Sequence, residues 1–176
     1  MNISNPRFTV SGREEPDDGD ILSVLEQDAR LSPHEIASMT GRTEEAVKTA
    51  IARLEEGGVI RRYKTVVDWD RVSAERVMAF VDVKVTPARN VGFDDVAERI
   101  YRFPEVRSVY LMSGDYDLRV MVEGRHIRDI ALFVSDRLAS IDRVLATATH
   151  FLLKKYKEEG VIFVDSESDD RLEVSP

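Results

Sequence analysis

The sequence predicts an α+β chain: an N-terminal winged helix-turn-helix, then a ferredoxin-like βαββαβ domain, an antiparallel sheet with helices on one face. Two observations carry this. Between residues 20 and 58, three short segments of helical periodicity are separated by helix stops and starts. From residue 77 the periodicity runs strand, helix, strand, strand, helix, strand.

In the first part, Ile21, Leu22, Val24 and Leu25 recur at helical spacing, with Asp20 placed as the cap. Ser32-Pro33-His34-Glu35 supplies an N-cap, a proline at the first helical position and a capping-box glutamate, opening a second helix through Ile36, Ala37 and Met39. Gly41 stops it. Thr43 caps a third helix whose first turn holds Glu44 and Glu45, where the helix dipole favours acids. Its stripe of Val47, Ile51 and Leu54 runs to Gly57-Gly58. The β-branched and aromatic residues of 59–67 predict a strand pair or wing.

In the second part, 77–85 alternates, with Val77, Ala79, Val81, Val83 and Val85 on one face and Met78, Phe80, Asp82 and Lys84 on the other. Phe93, Val96, Ala97, Ile100 and Phe103 keep helical spacing up to Pro104. Strands are expected over 106–112 and 117–123 around the turn Ser113-Gly114-Asp115-Tyr116, then a helix carrying Ile127, Ile130, Ala131, Val134, Leu138 and Ile141, and a last strand over 147–153. The expected organisation is a flexible arm at 1–18, the winged helix-turn-helix at 19–68, a linker at 69–76, the ferredoxin-like domain at 77–164 and an acidic tail at 165–176.

Composition removes several function classes. No apolar run in the 176 residues approaches the roughly 20 that a membrane helix needs, and residues 1–18 lack a signal-peptide core, so a cytoplasmic protein without a membrane partner is expected. There is no cysteine, hence no disulfide, thiolate metal site or cysteine nucleophile. His34, His126 and His150 fall on different elements, and no carboxylate pair, nucleophile elbow or phosphate-binding glycine loop stands out. No catalytic residue, metal or cofactor is expected. The net charge of -8 means that any contact with nucleic acid must come from a local basic patch.

The helix-turn-helix pattern would lay the third helix in the major groove of double-stranded DNA. With Val47, Ile51 and Leu54 inward, the 100° step turns Glu45, Thr49 and Ala52 outward, flanked by Lys48 and Arg53. Thr49 and Glu45 suit base edges, while Arg42, Lys48, Arg53 and the cluster Arg61, Arg62 and Lys64 suit phosphates, with Thr43 at the start of the same helix. The same cluster is also what a solvated strand edge carries.

In the second domain, Val81, Val83, Val109, Leu111, Leu118, Val120 and Val122 are expected toward the helices, which leaves Met78, Phe80, Val106, Tyr110, Met112 and Met121 on the other face. A sheet covered on one side carries polar residues on the other, so this apolar face calls for a cover: a second copy, giving a homodimer, or the segment 154–164 folded back. At the hairpin turn, Gly114 leaves backbone N–H groups open to a carboxylate, and Asp115 or Asp117 could accept from an ammonium group. Those residues suit an amino-acid effector, and equally the geometry of any tight turn.

The chain resembles the Lrp/AsnC (leucine-responsive/feast-famine) regulators from residue 20 to 161. The resemblance rests on Asp20-Ile21-Leu22, on Leu31-Ser32-Pro33-His34-Glu35-Ile36-Ala37, and on Val47, Ile51 and Arg53-Leu54-Glu55-Glu56-Gly57-Gly58-Val59-Ile60. It continues through Phe103-Pro104-Glu105-Val106 and Ser113-Gly114-Asp115-Tyr116-Asp117-Leu118. It implies a transcription regulator that dimerises, often assembles further, and senses amino acids or related small molecules. The effector is then expected at the contact between dimers, lined by Ser113, Gly114, Asp115, Tyr116 and Asp117 and by Thr149, His150 and Leu152 of the last strand. Recognition helices of this family usually carry consecutive basic residues where this chain has Lys48-Thr49-Ala50. Two alternatives accompany this reading: an effector-binding interaction protein with a lapsed DNA head, and an enzyme like the sirohaem decarboxylases, whose architecture is similar.

Overall fold

A computed structural model describes residues 17–72, 75–87 and 92–164. Residues 1–16 of the expected arm, 73 and 74 of the linker and the acidic tail 165–176 lie outside the described residues. The chain divides into two compact units, Met1–Thr65 and Val66–Pro176.

The first unit consists of α1 (Gly19–Gln27), α2 (Pro33–Thr40) and α3 (Glu44–Glu56). Ile21, Leu25, Ile36, Ala37, Val47 and Ala50 form its buried core, with Val24, Leu31, Ile51 and Ile60 packed around them. Local chemistry sets the boundaries. The Ser32 hydroxyl accepts from the Glu35 N–H at 3.3 Å while the Glu35 carboxylate accepts from the Ser32 N–H at 2.8 Å, a closed capping box. Gly41 ends α2 at φ 71°, a left-handed conformation that costs glycine little, and Thr43 Oγ1 caps α3 through the Ala46 N–H at 3.2 Å. At the far end of α3 the N–H groups of Gly58 and Val59 return to the carbonyls of Glu55 and Leu54, at 3.0 and 2.9 Å.

Two expectations change here. Asp18, not Asp20, occupies the N-cap position of α1, and Asp18 is buried rather than part of a free arm. The segment 59–67 contains no strand. Its β-branched residues favour an extended backbone, but a strand also needs a ladder. The N–H groups of Val59 and Ile60 are both used on the Leu54 carbonyl to close α3.

The second unit opens with a 3-10 turn, Trp69–Arg71. It continues as β1 (Val77–Val85), α4 (Asp94–Tyr101), β2 (Val106–Leu111), β3 (Leu118–Gly124), α5 (Ile127–Phe133), a π-helical turn Val134–Leu138, and β4 (Val144–Phe151). The sheet order is β2-β3-β1-β4, with every neighbour antiparallel. Ala79, Val81, Val83, Val85, Leu118, Val120 and Val122 face one way and bury Val96 and Ile100 of α4 and Ile130, Phe133, Val134 and Leu138 beyond β3. Both helices therefore cover one face.

Four details differ from the pattern. The last strand begins at Val144 and ends at Phe151, and the final helix passes into a π turn at Val134, where the Ala139 N–H bonds five residues back. A bulge between Val106 and Ser108 turns Val106 toward the helices, opposite Val122, so it leaves the free face. Leu111, opposite Leu118, stays 63% exposed at the sheet edge. Beyond β4 a short hairpin, β5 (Lys157–Glu158) and β6 (Val161–Ile162), turns through Glu159 and Gly160, both at positive φ.

Candidate nucleic-acid interface and ligand-binding domain

On α3 the helical step leaves Glu45, Lys48, Thr49 and Ala52 exposed while Val47, Ala50 and Leu54 are buried. The outward group is partly tied up within the helix. Lys48 Nζ lies 2.8 Å from Glu44 and 3.0 Å from Glu45, and its hydrogen bond holds the Glu44 carboxyl below the ordinary value. Thr49 Oγ1 donates to the Glu45 carbonyl at 2.8 Å. Arg42 and Arg53, both expected on phosphates, turn instead to Asp18, and Thr43 is engaged as the cap. In the basic run after α3, Arg61, Arg62 and Lys64 are exposed to solvent, and Tyr63 anchors the segment by donating its hydroxyl to Glu55 at 2.8 Å.

In the second unit the turn 113–117 closes through the Met112 N–H on the Asp117 carbonyl at 2.8 Å, with Gly114 at φ 133°. Asp117 is a structural tie: its N–H donates to the Val83 carbonyl at 3.0 Å and its carboxylate accepts from the Val85 N–H at 2.8 Å. Ser113 and Asp115 are exposed and Tyr116 is half-buried. The last strand starts level with this turn, Thr147 opposite Val83 and Val144 opposite Val85, but its expected residues lie farther along. Thr149 lies opposite Val81 on the helix side, His150 lies opposite Phe80 on the free face, and the Leu152 N–H bonds the Met78 carbonyl. From Val83 or Val85 to Met78 is five to seven residues of β1, roughly 17 to 23 Å at about 3.3 Å per residue. One chain therefore does not gather the expected effector residues into a single site.

Polar residues that sequence reasoning missed sit on the free face. Asp82, buried in mid-strand, takes Arg119 as a two-point partner at 2.7 and 2.9 Å, with His150 Nε2 at 3.5 Å. The Arg119 guanidinium holds the Asp82 carboxyl below its ordinary range. Glu123 bridges Arg107 and Arg76. Burial pushes its carboxyl up, but the two arginines outweigh that and hold it below the usual value. Around these pairs lie Met78, Phe80, Met121 and Tyr110, the last 53% exposed. Asp82 breaking an apolar strand was the available signal. Its partner on β3 required the register. At one end of this face, Met78, Leu152, Trp69, Arg76, Lys155 and Phe163 line a cleft of about 250 Å³, with the Arg76 guanidinium 4.7 Å over the Trp69 ring. Among the described residues no group of three His, Cys, Asp or Glu could hold a metal ion, and no helix is long and apolar enough to cross a membrane.

Two family models match the two units. Residues 18–61 match the winged helix-turn-helix DNA-binding model and residues 78–162 the Lrp/AsnC ligand binding domain. Fold and site together define a DNA-binding transcription regulator with a ligand-binding domain. The HTH-type transcriptional regulator YugG of Bacillus subtilis is 51% identical over 158 residues, covering 89% of this chain and 95% of that one. The HTH-type transcriptional regulator FL11 of Pyrococcus furiosus is 31% identical over 141 residues, covering 80% and 90%. The chain belongs to the Lrp/AsnC family, and relatives bearing regulator names set it apart from the sirohaem decarboxylases. Among solved structures, the Neisseria meningitidis regulator NMB0573 in complex with L-Met superposes at TM-score 0.67 with 25% identity, covering 83% of this chain and 94% of that one. Escherichia coli AsnC, at 20% identity and TM-score 0.64 over 80% and 93% of the two chains, shares the fold.

Proposed function

We propose that this regulator reads DNA through Glu45, Lys48 and Thr49 of α3, with Arg61, Arg62 and Lys64 on phosphates, and that it acts as a homodimer responding to an amino-acid effector. Arg42, Thr43 and Arg53 leave the contact set because Asp18 and the cap engage them. With Arg61 and Arg62 the only cations of the first unit forming no ion pair among the described residues, affinity per head is modest, and pairing two heads raises it. A second copy is the partner suited to the free sheet face, since its charges are already paired within the chain and the remainder is apolar.

For the effector, the carrying observation is Asp115. It is exposed beside Gly114 and makes no hydrogen bond or ion pair among the described residues, so it can accept from an ammonium group while neighbouring N–H groups meet a carboxylate. Asp117 serves the turn itself, and Thr149 faces the helices. His150 and Leu152 lie too far along the sheet to join the turn within one chain, so a site using both ends needs another copy. The L-Met bound by the Neisseria regulator supports an amino acid as the class. Calorimetric titration with the twenty amino acids is expected to find saturable binding by the wild type that Asp115→Ala weakens at least tenfold. Binding untouched by the substitution places the site elsewhere, and no binding by any amino acid refutes the effector class.

A further inference from the structure

Asp18 stands at the entrance to α1 with its side chain only 5% exposed, and its two carboxylate oxygens go to two arginines from different elements. Arg42, in the turn between α2 and α3, reaches Oδ1 through Nη1 at 3.0 Å, and Arg53, on α3, reaches Oδ2. Arg42 also donates Nε to Asp20 Oδ2 at 3.0 Å, and Nη2 to Asp20 Oδ1 at 2.8 Å and to the Asp17 carbonyl at 2.7 Å. Every nitrogen of that guanidinium is occupied. A carboxylate this deeply buried is tolerated while both oxygens are paired, and removing a partner leaves a buried charge uncompensated.

We propose that Asp18 is a positioning residue for DNA recognition: it clamps the start of α1, the α2–α3 turn and the later half of α3 together, and withholds Arg53, and jointly with Asp20 Arg42, from DNA phosphates. The proposal rests on α3 being the helix that meets DNA. The clamp sets the angle of α3 because the rigid Arg42 guanidinium spans Asp18 and, two-point, Asp20 at once, which a lysine would not reproduce. It also sets the charge of the face. Residues 17–65 hold ten acids and seven bases. Arg30 is paired with Asp28, Lys48 with Glu44 and Glu45, and Arg42 and Arg53 with Asp18. Arg61 and Arg62 form no ion pair among the described residues. Phosphate attraction supplies nearly all non-specific binding, so two sequestered guanidinium groups lower affinity for arbitrary DNA more than they lower base reading. Asp18 thereby raises the ratio of specific to non-specific binding.

Fluorescence anisotropy across a salt series tests this on the full chain, with a random-sequence duplex and a duplex enriched from genomic DNA. Asp18→Asn removes the charge that holds Arg53, while Asp20 still holds Arg42, so the slope of log K against log salt on the random duplex should steepen by about 1 unit, and the preference for the enriched duplex should narrow several-fold. Arg42→Met and Arg53→Met should leave the random-duplex slope of the wild type unchanged, because neither side chain meets phosphate. A slope flattened by about one unit in either methionine variant would overturn the proposal, however well Asp18→Asn folds. So would a folded Asp18→Asn that keeps the wild-type slope and preference. A wild type that binds neither duplex would refute the role of α3 instead, a failure separate from that of the clamp.

Discussion

Asp82 and Asp18 are acids placed where apolar side chains would be the default, and both persist because arginines meet both carboxylate oxygens: one Arg119 fork at Asp82, one nitrogen each from Arg42 and Arg53 at Asp18. For Asp82 the consequence is a pH dependence with a definite sign. Its folded-state pKa lies below the unfolded one, so its contribution to stability is fully present above the unfolded value near 4 and fades as pH falls through the folded value. Acid titration of the wild type, followed by circular dichroism between about pH 2 and 5, should show unfolding that grows steeper than in Asp82→Asn, which lacks that titration. Identical pH profiles would mean that the Arg119 pair contributes nothing. Such residues were only half legible in the sequence. Asp82 stands out in an alternating strand, but Asp18 precedes any periodic segment and reads as arm. Only the folded positions of Arg42 and Arg53, 24 and 35 residues away, give it a role.

At the level of elements, features decided within a few residues were readable and features decided across the chain were not. The capping box at Ser32, the stop at Gly41 and the double-glycine end of α3 depend on neighbours one to five positions away. The unpaired segment 59–67 has strand composition without a partner strand, and the bulge that turns Val106 inward depends on its register against β3. The hairpin β5–β6 carried only half a signal: Gly160 suits its positive φ, but Glu159, also at positive φ, is not a residue that favours it. Because the capping box satisfies two backbone donors that α2 would otherwise leave to water, Ser32→Ala should destabilise the first unit by about 1 kcal/mol. Thermal denaturation should show this as a lower midpoint for the first unit while the second unit keeps its own transition. Equal midpoints would show the cap to be redundant with Pro33.

Across the whole molecule, two units with separate cores divide the chain: one matches the winged helix-turn-helix DNA-binding model, the other the ligand binding domain. The covered face was legible because strand alternation and helix periodicity agree on which side is buried, whereas the strand order β2-β3-β1-β4 rests on long-range pairing. The effector set was not, because Asp115 and Leu152 lie at opposite ends of β1 and no single-chain pattern says which copy supplies each. A free face carrying Phe80, Met121 and Tyr110 around self-paired charges predicts dimers, or assemblies of dimers, in sedimentation at micromolar concentration. A monomer there would leave that face to water and exclude the dimer. The DNA-reading role of the first unit is tested most directly by selecting genomic fragments with the purified full chain at low salt, then titrating the enriched fragments with wild type and with Arg61→Ala/Arg62→Ala. Enrichment is expected, with the double variant weaker on all sequences and its salt slope flatter by about one unit per lost phosphate contact; no enrichment at low salt, or a double variant indistinguishable from wild type, would contradict it.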